Sequence, residues 1–144
     1  LHLCDRRQRQ MCIRDRMKEW VKALLHLYKS HKAMYEMDQS WEGFEWINAD
    51  DKDRSIYSYM RKSENGRNNI LVVLNMTPME RKDYQIGVDK KKKYKLLLNS
   101  DDVDFGGNGG TIPKEITAKA VKCDNKPYSL TFDLPAYGAA LFLF

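Results

Sequence analysis

Ile70-Leu71-Val72-Val73-Leu74-Asn75-Met76-Thr77-Pro78 is the stretch on which the fold turns. It opens with five apolar residues in a row, three of them β-branched. Side chains on a strand alternate between two faces, so an unbroken apolar run predicts a strand covered on both. Asn65-Gly66 just before it is a hairpin turn signal, and Pro78 ends the run because it has no N–H for a ladder. Ile70–Met76 is therefore expected to be the central strand of a small β domain. A short buried helix segment is the competing reading of such a run.

Outward from that strand the period stays at two. Phe44 and Trp46 alternate with Glu45 and Ile47; Ile56, Ser58 and Met60 alternate with Tyr57 and Tyr59. The cluster 48–53 between them is a polar turn. On the C-terminal side Tyr84–Val88 and Tyr94–Leu98 are strands flanking Asp89-Lys90-Lys91-Lys92-Lys93, which is expected to be a solvated hairpin tip. Asn99–Pro113 holds four glycines and is expected to be a flexible loop. Ile116–Val121, Tyr128–Leu134 and Tyr137–Phe144 complete the set. Seven or eight short strands with turns between them predict a mainly β chain, an antiparallel β-sandwich.

The N-terminal end differs. Trp20, Leu24 and Tyr28, with Val21 and Leu25, form an apolar stripe that predicts a helix from Met17 to Ser30. His26 and His31 are expected to be surface or helix-end residues. Before it, Leu1–Arg16 holds five Arg and two Asp, so it carries +3 of the net +5. It has no hydrophobic period and no signal-peptide core. Met11-Cys12-Ile13-Arg14-Asp15 back-translates onto a sequence resembling a transposon adapter used in sequencing libraries. Leu1–Arg16 is therefore expected to be a non-native tail on a truncated reading frame.

Composition bounds the rest. With 144 residues, 42% hydrophobic and 11% aromatic, the chain is long and apolar enough for one globular domain. No run approaches the roughly 20 apolar residues that span a bilayer. Once Leu1–Arg16 is set aside, the charge that would favour nucleic acid mostly disappears, and the lysine run lacks interleaved aromatics. Neither a nucleic acid nor a membrane is expected as partner. Cys123 stands alone beyond the tail, so no disulfide framework or metal site is expected, and the compartment is expected to be cytoplasmic.

Motifs for chemistry are sparse. No phosphate loop, nucleophile elbow or zinc-protease signature occurs. Asp102-Val103-Asp104-Phe105-Gly106 fails as a calcium loop, with Pro113 where a bidentate Glu belongs. The acids Asp50, Asp51, Asp53, Asp101 and Asp102 fall in turns. Glycoside chemistry needs two carboxylates about 5–10 Å apart across the bond, and no such pair is predicted. Neither catalytic residues nor cofactor are expected. Trp41, Phe44 and Trp46 are the candidate sugar contacts, because a flat apolar ring suits a pyranose face. The competing reading is a buried aromatic cluster between helix and sheet.

The ordered series from Trp20–Tyr28 through Gly43-Phe44-Glu45-Trp46-Ile47, Asp50-Asp51, Leu71–Pro78, Leu98-Asn99-Ser100-Asp101 and Tyr128–Pro135 resembles the C-terminal end of bacterial 1,4-α-glucan (glycogen) branching enzymes of the α-amylase superfamily. Met76 stands where many members have Phe. The resemblance implies a (β/α)8 barrel followed by an all-β C-terminal domain. Residues 17–37 would then be the last barrel helix and 38–144 the β domain. It implies an enzyme that cuts an α-1,4-glucan and rejoins it through an α-1,6 bond. Its Asp, Glu and Asp lie on the barrel upstream and match no residue here. The partners implied are that barrel and α-glucan, with Asn99–Pro113 facing the barrel. A stand-alone carbohydrate-binding module for α-glucan is the alternative.

Overall fold

The computed structural model describes residues 2–51 and 53–144, with side chains from Cys12 onward. One helix precedes eight strands: α1 (His2–Ser30), β1 (Phe44–Asn48), β2 (Ile56–Arg61), β3 (Ile70–Asn75), β4 (Arg81–Val88), β5 (Lys93–Asn99), β6 (Glu115–Thr117), β7 (Tyr128–Leu134) and β8 (Ala139–Leu143). Six strands form an antiparallel sheet in the order β1-β2-β3-β8-β5-β6, and β4 pairs with β7 in a second.

β3 is covered on both faces, as its composition requires. Leu71 and Val73 point inward against Ile86, Val88, Leu130, Phe132 and Leu134 of the second sheet. Ile70 and Val72 point outward against Leu27 and Ala33, joined by Trp20, Ala23 and Leu24 of α1. The sandwich thus has a third layer, a helix laid on the outer face of the large sheet.

That placement divides the apolar stripe expected on the helix. Trp20 and Leu24 are covered by the sheet. Trp20 packs on the sheet and meets the edge of Phe105 at 5.0 Å between ring centroids. Met17, Val21, Leu25 and Tyr28 stay exposed instead. The helix also runs on through the basic stretch to His2, since Arg, Gln, Leu and Met are good helix formers and no Gly or Pro interrupts them.

Three connections differ from their sequence signals. The lysine run is not a hairpin tip: β4 pairs with β7 while β5 pairs with β8 and β6, so Asp89–Lys92 crosses between the sheets. The sixth strand is short because its continuation leaves β5 at Ala118 and bridges to Ser129 through Lys119. The Asn65-Gly66 turn sits in a longer loop held by Ser63 and Asn69, with Gly66 at φ +65°.

The glycine-rich stretch is built rather than flexible. Val103–Phe105 forms a 3-10 turn that carries Phe105 onto Trp20. A side chain on Gly107 would meet the Asp101 carbonyl at 2.1 Å, and Gly109 sits at φ +99°. The N–H groups of Gly106, Gly107 and Gly109 donate to carbonyls of the same loop, and that of Asn108 to the Asp101 carboxylate. They are spent internally and cradle no phosphate.

Asn75 ends β3 at a polar corner. Its Nδ2 donates to the carbonyls of Met79 (2.8 Å) and Pro135 (2.9 Å). Its Oδ1 accepts from the Thr77 N–H (3.0 Å) and Oγ1 (2.7 Å). The same nitrogen that glycosylation would use is buried and engaged. Replacing Asn75 with Ala removes four part-buried hydrogen bonds from a buried side chain, so Asn75→Ala is expected to lower stability by about 3 kcal/mol. Urea unfolding should show a lower midpoint at unchanged slope.

Candidate functional site

β1 is an edge strand, and its outward residues meet those of β2. Pairing places Trp46 opposite Tyr59 and Phe44 opposite Arg61. Phe44 stacks on Tyr59 at 5.1 Å and meets the edge of Trp46 at 5.0 Å. Trp46 in turn contacts Tyr59 at 5.6 Å and Tyr57 at 6.5 Å. Each such pair adds about 0.5–1.5 kcal/mol beyond area burial, so the rings hold one another in place.

The three sugar-contact candidates separate here. Trp41 is 85% exposed and Trp46 51% exposed. Phe44 is half-buried and serves mainly as support. Tyr57, 39% exposed, belongs to the same platform and was missed. The signal was present: Ile56, Ser58 and Met60 face the core, so Tyr57 and Tyr59 had to face out. None of these rings lies buried between helix and sheet as a closed cluster.

Trp41 stands on a short, fixed turn. Residues Trp41–Gly43 form a 3-10 helix whose Glu42 N–H donates to Ser40 Oγ. Gly43 is required because a Cβ would lie 2.5 Å from the Met37 carbonyl. Its own carbonyl accepts the Lys62 N–H at 2.9 Å.

The opposite face of β1 is pinned by charge. Glu45 pairs with both Lys62 and Lys126, and Lys126 also reaches Asp89 at 2.9 Å. Burial pushes the Glu45 carboxyl up, but the hydrogen bonds from Lys126 and Lys62 outweigh it and hold it below the usual range. Nearby, Asp124 accepts from Asn48 Nδ2 (3.2 Å) and the Gly87 N–H (2.9 Å), tying the end of β1 to β4.

The remaining titratable groups are structural. Burial, with Asp124 and Asp51, pushes the Tyr84 hydroxyl up to about 12. Burial and then Asp124 push the Cys123 thiol up to about 11, which makes it a poor nucleophile. Asp51 pairs with Arg54 at 2.9 Å, and Asp101 accepts from the Asn108 N–H. His31 Nδ1 lies 3.1 Å from the Leu27 carbonyl, a helix-end position. The exposed rings present flat faces for stacking, and these acids are engaged by neighbouring cations and N–H groups.

Residues 46–144 match the model of the alpha amylase C-terminal all-beta domain. The chain belongs to that family. Its β domain is therefore an alpha amylase C-terminal domain, with β1 at its leading edge. The chain is 52% identical over 128 residues to the 1,4-alpha-glucan branching enzyme GlgB of Butyrivibrio fibrisolvens, covering 89% of this chain and 20% of that protein. It is 36% identical over 123 residues to GlgB 1 of Clostridium perfringens strain SM101, covering 85% and 18%. GlgB of Geobacillus stearothermophilus is 36% identical over 125 residues, covering 87% and 20%. The chain thus spans about a fifth of the length of the curated relatives it matches. No helix among the described residues is long and apolar enough to cross a membrane.

The Glu45 clamp gives this domain a specific acid response. A depressed folded-state value means the stabilisation is present above the ordinary value of 4.5 and is lost as pH falls through the lower folded value. Urea midpoints should fall as pH drops below about 4.5, and Glu45→Gln should flatten that slope while lowering stability at pH 7.

Proposed function

We propose that this chain is the C-terminal part of a 1,4-α-glucan branching enzyme of cytoplasmic glycogen synthesis, and that its role there is non-catalytic. The observation that carries this is the 52% identity over 128 residues to an enzyme of that name. The activity of such an enzyme, transfer of an α-1,4 chain to an α-1,6 linkage, then belongs to the upstream barrel.

Two surfaces have roles in this reading. The outward stripe of α1, Met17, Val21, Leu25 and Tyr28, lies against the barrel, with residues 17–37 its last helix and 38–144 the β domain. Four large apolar side chains in line on one helix face suit a packed interface, not water. The platform of Trp41 and Trp46, with Phe44 behind and Tyr57 beside it, contacts α-glucan. Leu1–Arg16 is a non-native tail; the match of 128 residues leaves sixteen unmatched, the length of that stretch. A stand-alone module is not favoured, since the relatives carry this segment in chains about five times as long.

The purified chain should form no α-1,6 branches on amylose, and its migration should be retarded in glycogen-containing native gels. Trp46→Ala should abolish most of that retardation; unchanged migration would remove the platform from the glucan contact. For the barrel interface, Leu25→Glu should lower Tm of the full-length enzyme by several degrees and leave the isolated chain unchanged, where Leu25 is 57% exposed. Equal effects in both would place the stripe outside the interface.

A further inference from the structure

A cleft of about 290 Å³ opens beside the Trp41–Gly43 turn, between the β2–β3 loop and the Asp89–Lys92 crossing. Its apolar lining is Met37 and Phe144, over the buried Met60; its polar walls include Glu42, Lys62, Glu64, Asp89 and Lys90. We infer that this cleft binds the terminal glucose unit of an α-glucan chain, a neutral polyhydroxylated ligand, an inference that rests on the glucan reading above.

The chemistry of the walls selects that class. Lys62 is paired with Glu45, Asp89 with Lys126, and Lys90 Nζ donates to the Gly66 carbonyl at 3.3 Å. Among the described residues, Glu42 and Glu64 have no cation within ion-pair distance, so their carboxylates remain as acceptors for hydroxyl groups. Three carboxylates against two ammonium groups repel phosphates and other anions. Met37 and Phe144, both half-buried, offer an apolar surface for the C–H face of a pyranose.

The cleft is also preorganised. Asn69 and Phe144 exchange two backbone hydrogen bonds (2.9 and 3.0 Å), and Asn69 Oδ1 accepts the Ser63 N–H at 3.1 Å. The β2–β3 loop is thus fastened to the C-terminal residue. A site that need not be ordered by its ligand loses less affinity on binding.

Size points to a chain end. Pockets for drug-sized ligands start at roughly 300 Å³, so this cleft holds about one sugar unit. Trp41 is the residue next to Glu42 and is almost wholly exposed. A glucan entering by its end has its next unit against that ring.

The test is titration of the isotope-labelled chain with linear maltoheptaose and with β-cyclodextrin, which has no chain end. Maltoheptaose should shift the amides of Ser63, Glu64 and Asn69, and cyclodextrin should not. Glu42→Gln with Glu64→Gln, both at exposed positions, should weaken maltoheptaose about tenfold, because hydrogen bonds to charged groups are lost. If both sugars bind equally, shift Trp46 and Tyr57, and ignore the double substitution, the cleft is overturned while the glucan reading stands. If neither sugar binds, both fall.

Discussion

The double-sided burial of β3 is the constraint on which the rest depends. A strand with apolar residues on both faces needs a layer on each side. The second sheet supplies one through Ile86, Leu130 and Phe132, and α1 supplies the other through Leu27, Leu24 and Trp20. Without the helix, Ile70, Val72 and Leu141 would meet water, at a cost of about 1.5–3 kcal/mol each. The helix is therefore part of the β domain's core, whatever else it also touches. The glycine-rich loop follows from the same need, because it brings Phe105 against the exposed side of Trp20.

A single helix cannot cover six strands. α1 lies over β3, β8 and β5, and most of the outer face of β1 and β2 falls beyond its reach. That face carries aromatic rings, which can shield one another where no helix does. Phe44 and Tyr59 stack, Trp46 closes over them, and Tyr57 ends the row at the surface. An edge strand covered in this way needs fixing from its other side. Glu45, held by Lys62 and Lys126, and Asp124, bound to Asn48 and Gly87, provide that.

The strands were legible in the sequence because alternation depends on short-range burial. The mainly β class, the central strand and nearly all strand positions followed from it. What was not legible came from partners distant in sequence. The lysine run reads as a hairpin tip because its two flanking strands are adjacent, and nothing local tells that β4 pairs with β7 instead of β5. The helix has two apolar stripes at adjacent angles, Trp20-Leu24-Leu27 and Val21-Leu25-Tyr28, and only the location of the sheet decides which is covered. The glycines of residues 106–110 read as flexibility, yet they are there because backbone packs on backbone at Asp101. For the candidate site, Trp41 and Trp46 were found from residue type alone, whereas Tyr57 follows only from the alternation of β2, whose Ile56, Ser58 and Met60 face the core.

The same packing also decides how the acids of this domain are placed. Cleavage of a glycosidic bond needs a carboxylic acid kept protonated near neutral pH, opposite a second carboxylate. Here Glu45 is held ionised by two ammonium groups, and Asp51 and Asp101 are occupied by Arg54 and the Asn108 N–H. Asp102 is the carboxyl that burial, with Asp104 and Asp101, pushes upward. It sits on the glycine-rich loop, away from the aromatic platform, with like charges as its neighbours in place of an opposed partner. Glu42 and Glu64, with no cation within ion-pair distance among the described residues, line a cleft of about 290 Å³ beside the exposed Trp41. The acids of β1 and of the loops are thus tied to cations and backbone N–H groups that hold the edge strand and the glycine-rich loop in place.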